Sequence, residues 1–76
     1  MPQKKNPLLK AFGILIRMKR YKKEMTQEAL SEKADIHPTY LSGIERGRKN
    51  PTLRKIFSLA KALDCSPKDL MPEDDY

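Results

Sequence analysis

Two short helical patterns lie close together between Thr26 and Gly47, and their spacing limits the folds open to this chain. Thr26 is a good side-chain cap for a helix over residues 27–34. A break of three residues follows, and Pro38 suits the first turn of another helix that stops at Gly47. Asp35, in the break, tolerates the left-handed conformation that a sharp turn needs. The segment therefore predicts two packed helices joined by a tight turn.

Helix signals also dominate the rest of the chain, and no alternating strand pattern is present. Asn6-Pro7 predicts the start of a first helix that fades near 22–24, and Thr52 caps a fourth. Ser66-Pro67 starts a short last helix. We expect an all-α fold of five helices, with a basic arm at 1–6, the folded domain at 7–72 and an acidic tail at 73–76.

The charge of the chain is strongly basic and unevenly placed. Its 76 residues suffice for one domain, and the formal net charge is +6. Residues 1–23 and 46–55 hold basic side chains without a single acid, whereas five acids lie in residues 64–76. This separation predicts one face directed at a polyanion, although a solvated lysine-rich surface has the same composition.

Several function classes are excluded by what the sequence lacks. The single cysteine, Cys65, forms no internal disulfide, which is typical of a reducing cytosol. The longest apolar run, residues 14–16, falls far short of the roughly 20 residues that span a bilayer, and we expect a cytoplasmic protein. His37 has no metal-ligating neighbour, and no nucleophile or phosphate loop is recognisable. We expect no enzyme activity, cofactor, metal or small-molecule ligand.

The third predicted helix leaves mostly small or polar residues outside its apolar seam. A helix backbone with such side chains fits deep into a DNA major groove, which is about 12 Å wide. These residues are His37, Pro38, Thr39, Tyr40, Ser42, Gly43 and Arg46.

An ordered series of short motifs runs from residue 12 to residue 71. It includes Phe-Gly at 12–13, Met-Thr-Gln-Glu-Ala-Leu-Ser at 25–31, Tyr-Leu-Ser-Gly-Ile-Glu-Arg-Gly at 40–47, Asn-Pro-Thr-Leu at 50–53 and Ala-Leu-Asp-Cys-Ser-Pro at 62–67. The series resembles the Cro and lambda-repressor-like helix-turn-helix regulators, with the motif at about 26–46. In chain length and in the sequence of these motifs, it is most similar to the controller proteins of restriction-modification systems. Phage and plasmid repressors with the same arrangement of helices remain an alternative.

The resemblance implies roles for individual residues. The base-reading positions are His37, Pro38, Thr39, Ser42, Gly43 and Arg46. Contacts to the DNA backbone fall to Arg17, Thr26, Gln27, Tyr40, Arg48, Lys49 and Asn50. Arg20 and Glu45 match an internal salt bridge. Pro38 and Gly43 depart from the pattern because their side chains donate no hydrogen bond, and Glu24 replaces the usual glycine after the first helix.

These features predict a transcriptional regulator that binds double-stranded DNA at a palindromic operator as a homodimer. One recognition helix alone reads too few base pairs to specify a site. A dimer places two such helices about 34 Å apart, where they read two half-sites. Leftover apolar residues predict a dimer interface at Leu59, Leu70 and Met71. The alternative is a module that binds a protein, such as an antitoxin or an adaptor; an antitoxin usually needs a further segment to hold its toxin. Binding to any duplex DNA separates the two.

Overall fold

The computed structural model of the chain describes residues 7–73 and contains no strand in this range. The helices are α1 (Pro7–Lys22), α2 (Gln27–Ala34), α3 (Pro38–Glu45) and α4 (Leu53–Ala62), followed by a 3-10 turn at Pro67–Leu70. The predicted all-helical fold is confirmed for these residues. The predicted arm at 1–6, the Asn6 cap and positions 74–76 of the predicted tail lie outside the described residues. Within them, no helix combines the length and the apolar content needed to cross a membrane.

Each helix after α1 begins at a side-chain cap. The Oγ1 atom of Thr26 accepts a hydrogen bond from the Ala29 N–H at 3.0 Å, and Thr52 caps α4 in the same way. His37 caps α3: its Nδ1 atom accepts from the Thr39 N–H at 3.1 Å. Because a cap satisfies an N–H group that the helix cannot pair internally, these residues fix the first residue of each helix.

All four helices end in the same left-handed turn. The backbone angle φ is positive at Glu24, Asp35, Gly47 and Asp64. In each case the N–H of the following residue donates to the carbonyl five positions earlier, as Ile36 does to Ser31 at 2.9 Å. This is the Schellman geometry, in which an apolar residue after the turn packs back on the helix. Accordingly, Ile36 is buried, and Met25 and Cys65 pack against the core. The turn predicted at Asp35 is confirmed.

The last predicted helix is only a single 3-10 turn, so the predicted count of five helices is not confirmed. Ser66 and Pro67 start the turn as expected, and Asp69 completes a capping box with the Ser66 backbone. Met71 then adopts an extended conformation. It precedes Pro72, and the proline ring disfavours helical geometry in the residue before it. The chain therefore leaves the helical conformation after one turn.

The core lies between all of these elements. α1 packs on α3 and on the 3-10 turn, whereas α2 packs on α3 and α4. The large side chains that are completely buried are Ile16, Leu30, Leu41, Ile44, Leu59, Leu63 and Leu70. The prediction that Leu59 and Leu70 form a dimer interface is therefore wrong, because both side chains are 0% exposed and fill the core of the single chain. Met71, the third predicted interface residue, is 43% exposed.

A glycine allows α1 to cross the end of α3 at close range. A Cβ atom added at Gly13 would meet the carbonyl oxygens of Ile44 and Glu45, the latter at 2.7 Å. These are backbone atoms, so they cannot move aside as a flexible side chain would. The close crossing places the next two turns of α1 directly over Glu45.

Glu24 is the residue at which a stabilising substitution is expected. Its φ of 55° costs a residue with a Cβ about 1 kcal/mol, a cost that glycine avoids. We expect Glu24→Gly to raise the free energy of unfolding by about 0.5–1 kcal/mol in urea titrations. The matched control is Glu32→Gly inside α2, which should lower it by about 1 kcal/mol. A loss of stability in Glu24→Gly would show that the Glu24 side chain makes a stabilising contact.

Candidate nucleic-acid interface

The last residue of α3 is held by a buried ion pair. Both oxygens of the fully buried Glu45 carboxylate accept from the Arg20 guanidinium, Oε2 from Nε at 2.7 Å and Oε1 from Nη2 at 2.9 Å. The Nη1 atom of Arg20 also donates to the Met25 carbonyl at 2.8 Å. Arg17 adds a second positive charge at 3.6 Å. The predicted Arg20–Glu45 pair is thus confirmed as a link between α1 and α3.

The protonation state of this pair follows from its contacts. Burial by itself raises the pKa of Glu45, but the hydrogen bonds from Arg20 and Gln27 and the charges of Arg20 and Arg17 outweigh it. The pKa of Glu45 therefore lies below its ordinary value. The hydrogen bond to Glu45 in turn raises the pKa of Arg20. Both groups are charged at neutral pH, and the pair remains intact there.

The anchored helix presents one exposed face. Pro38, Thr39 and Arg46 are exposed and Ser42 is half-buried, while Leu41 and Ile44 face the core. The spacing of these four positions places them on the same side of α3, one to two turns apart. Four of the six predicted base-reading residues therefore share a solvent-facing surface, which we call the reading face (Pro38, Thr39, Ser42, Arg46).

The other two predicted base-reading residues have different surroundings. His37 is exposed, but its Nδ1 atom accepts the hydrogen bond that caps α3. Its Nε2 atom takes no part in that bond and is the ring atom left for a contact with DNA. Gly43 is buried. A Cβ atom added there would lie 2.8 Å from Cγ and 3.2 Å from Cε of Lys49. The expectation of an open groove-facing position at Gly43 is wrong, because the aliphatic stem of Lys49 covers it.

The predicted backbone-contacting residues lie on both sides of α3. Arg17 is partly exposed beside Glu45, and Thr26 is exposed at the start of α2. The side-chain amide of Gln27 donates to Oε1 of Glu45 at 3.0 Å, so it joins the buried pair instead of pointing freely outward. Its second N–H remains as a donor for an anionic ligand.

The basic loop between α3 and α4 lies next to an aromatic ring. Arg48, Lys49 and Asn50 are exposed. The ammonium group of Lys49 lies 5.6 Å from the centre of the Tyr40 ring, and that of Lys55 lies 5.2 Å from the same centre. Sequence analysis counted Lys55 in the second basic cluster but gave it no role. The sequence signal for Lys55 was its place in the first turn of α4, three residues after the Thr52 cap and at the end of the second basic cluster.

Two exposed apolar side chains stand out on α4. Leu53 is 70% exposed and Phe57 is 55% exposed, and their spacing of one turn places them on one side of the helix. Large apolar groups on the surface of a small domain indicate a contact with another molecule when they cluster. We call this pair the α4 apolar face.

Among residues 7–73, no group of histidine, cysteine and carboxylate side chains is spaced to hold a metal ion.

Comparison with known proteins gives one consistent result. A family model described as helix-turn-helix matches residues 16–70. The chain is 46% identical over 61 residues to control protein C.BamHI of Bacillus amyloliquefaciens, covering 79% of this chain and 75% of that protein.

Solved structures agree with this match. The restriction-modification controller protein C.AhdI of Aeromonas hydrophila superposes with a TM-score of 0.85 at 36% identity, over 87% of this chain and 100% of that one. The C.Esp1396I controller tetramer, in complex with its natural 35 base-pair operator, gives 0.79 at 35% identity, over 86% of each chain.

The buried ion pair predicts a large effect of removing the Glu45 charge. Glu45→Gln leaves the Arg20 cation buried without a counter-charge, so we expect a loss of about 3–5 kcal/mol of unfolding free energy at pH 7. Because the folded-state pKa of Glu45 is lowered, its contribution is complete above the ordinary value of 4.5 and disappears as the pH falls through the folded-state pKa. The difference between the two proteins should shrink in acid.

The matched control is the exposed pair of Lys23 and Asp64, whose charged atoms lie 3.7 Å apart. Asp64→Asn should change the unfolding free energy by less than about 1 kcal/mol at any pH. Urea titrations at neutral and acidic pH measure both variants. A difference between wild type and Glu45→Gln that stays constant into strong acid would contradict the assigned pKa direction.

Proposed function

The chain belongs to the helix-turn-helix family of transcriptional regulators, and on that premise we propose that it controls transcription as a homodimer on a palindromic DNA operator, in the manner of a restriction-modification controller. The observation that carries the proposal is the reading face of α3, which is solvent-exposed, free of acidic side chains and bordered by the basic loop at 48–50. The likeness to controller proteins over most of the chain supports the same role. Action on DNA implies a cytoplasmic location.

The reading face suits the major groove because its small side chains at 38, 39 and 42 let the helix backbone lie deep in the groove. Thr39 offers a hydroxyl group that donates or accepts and a methyl group that fits a thymine methyl. Ser42 lies three residues, or nearly one helical turn, after Thr39. Arg46 lies two turns after Thr39, where it reaches a guanine or a phosphate at the edge of a half-site. Pro38 and His37 start the helix and limit how close its first turn comes to the bases.

The DNA backbone is held on both sides of the reading face in this proposal. Arg17, Thr26 and the second amide N–H of Gln27 lie on the α1–α2 side. Tyr40, Arg48, Lys49 and Asn50 lie on the loop side. Contacts of this kind fix the register of the protein but carry no base sequence themselves. Together they explain why the exposed loop residues that follow α3 at 46–50 are basic or neutral.

The homodimer requires a surface other than the buried Leu59 and Leu70. We place it on the α4 apolar face, Leu53 and Phe57, since these are the large apolar side chains that α4 leaves in water. A second copy of the same chain is the partner that a palindromic operator requires, because a twofold axis relates its half-sites. Burying two such faces against each other removes four large apolar side chains from water.

The role of Thr39 is tested by binding-site selection. We expect Thr39→Ala to cost about 1–3 kcal/mol at the preferred operator, to leave nonspecific binding nearly unchanged and to relax the preference at one symmetric pair of positions. Thr39→Ser keeps the hydroxyl group and serves as the matched control, separating the hydrogen bond from the methyl contact. A uniform loss of affinity with an unchanged preferred sequence would show that Thr39 only positions the helix.

The dimer surface is tested with Phe57→Asp. Wild type should sediment at about twice the 8.8 kDa chain mass at tens of micromolar, and the variant at the monomer mass, because the new charge cannot be buried without a partner. Met18→Asp, which changes a 60% exposed residue on α1, should stay dimeric. Circular dichroism checks that both variants fold. A wild type that is monomeric alone and on operator DNA would overturn the proposed assembly.

A further inference from the structure

A glycine near the end of α3 supports a lysine that comes from another segment. The Lys49 stem lies across Gly43, and its ammonium group reaches the Tyr40 ring. Glycine inside a helix is less stabilising than alanine, so its presence here calls for a reason. The covered space is that reason, since any Cβ at this position would occupy the path of the stem.

A second lysine reaches the same ring from α4. Lys55 is 5.2 Å from the ring centre. Tyr40 is half-buried and packs against the core, which holds the ring in place. Attraction between a cation and the face of an aromatic ring accounts for both contacts. One fixed ring therefore attracts two ammonium groups from two separate parts of the chain.

Neither positive charge has a counter-charge among the residues that the structure describes. Among residues 7–73, the ion pairs formed involve neither Lys49 nor Lys55. Two like charges that share one ring repel each other, and an anion placed beside them relieves that repulsion. A phosphate group is such an anion, so this arrangement of lysines is suited to bind one.

The location of the arrangement identifies which phosphate. Gly43 follows Thr39 by four residues and Tyr40 by three, so it lies between them on the surface of α3. The Lys49 stem thus marks the border of the reading face. When the reading face enters a major groove, the sugar-phosphate strand that bounds the groove passes along this border.

We propose, building on the DNA-binding function above, that Tyr40, Lys49 and Lys55 form a preorganised clamp for a phosphate of the DNA backbone. In this clamp Lys55 is a further DNA-contacting residue, and Gly43 is a positioning residue that acts through Lys49. Gly43 contributes no contact to a base. Its role is to let the Lys49 stem lie flat on α3, which holds the ammonium group beside the ring before DNA arrives.

The first measurement needs no DNA. Lysine side-chain protons near an aromatic ring are shifted upfield in an NMR spectrum, so Lys49 and Lys55 should both show this shift in the wild type. Gly43→Ala should abolish it for Lys49 and leave it for Lys55, because only the Lys49 stem meets the added methyl group. The variant replaces a helical glycine by a better helix former and should fold, as circular dichroism would show. Unshifted lysines in the wild type would overturn the clamp.

The second measurement is the salt dependence of binding to random duplex DNA, followed by fluorescence anisotropy. Lys49→Ala and Lys55→Ala should each reduce the slope of log affinity against log salt by about 0.9 per protomer. Lys68→Ala removes an equal charge from the 3-10 turn, away from Tyr40, and should leave the slope unchanged. Gly43→Ala should reduce the slope in the wild-type background and have no further effect in the Lys49→Ala background.

The outcomes separate this clamp from the proposed function. If wild type fails to bind any duplex at about 50 mM salt, the DNA-binding function and the clamp both fall. If it binds but Lys55→Ala behaves like Lys68→Ala, the clamp alone is wrong. An effect of Gly43→Ala that persists in the Lys49→Ala background would show that Gly43 approaches the DNA itself, and its positioning role would be overturned.

Discussion

The rest of the structure depends on the buried carboxylate of Glu45. Its two oxygens accept from Arg20 of α1 and from Gln27 of α2, and Arg20 also binds the Met25 carbonyl in the turn between those helices. One charge thus ties three helices and a turn into a fixed arrangement. A buried ion pair adds little stability compared with apolar packing, but removing one partner is costly. The pair therefore specifies an orientation of α3 more than it strengthens the fold.

Two glycines serve this orientation in opposite ways. Gly13 makes room for backbone, so that α1 crosses the end of α3 closely enough for Arg20 to reach Glu45. Gly43 makes room for a side chain, the Lys49 stem, on the outward side of α3. An added methyl group at Gly13 would press on rigid carbonyls, whereas at Gly43 it would only displace a flexible chain. The first glycine is required for the fold and the second for the proposed phosphate clamp.

The sequence predicted what local chemistry decides. The caps at Thr26 and Thr52 and the proline at Pro38 gave correct helix starts, because each lies within a few residues of the helix that it starts. The dimer residues failed for a different reason. Leu59 and Phe57 both occur in the apolar pattern of α4, and only the packing of α2 and the 3-10 turn decides which one is buried. The contact of Lys49 and Lys55 with Tyr40 likewise joins three segments, which no local pattern displays.

The chemistry of the reading face sets a limit on how its specificity arises. Pro38 offers no hydrogen bond and Gly43 is covered, so the groups that can read base edges are Thr39 and Ser42 on α3, Arg46 directly after it, and the Nε2 atom of His37 directly before it. At about 1–3 kcal/mol for each good contact, a few such contacts in each of two half-sites add up to the usual preference of about 4–10 kcal/mol for an operator over random DNA. Further discrimination comes from how readily a sequence adopts the shape that the backbone contacts demand. A rigid α3 and a preorganised clamp are suited to that task, because fixed contacts penalise DNA that bends or narrows poorly. The same rigidity that Glu45 gives the fold would then contribute directly to operator selection.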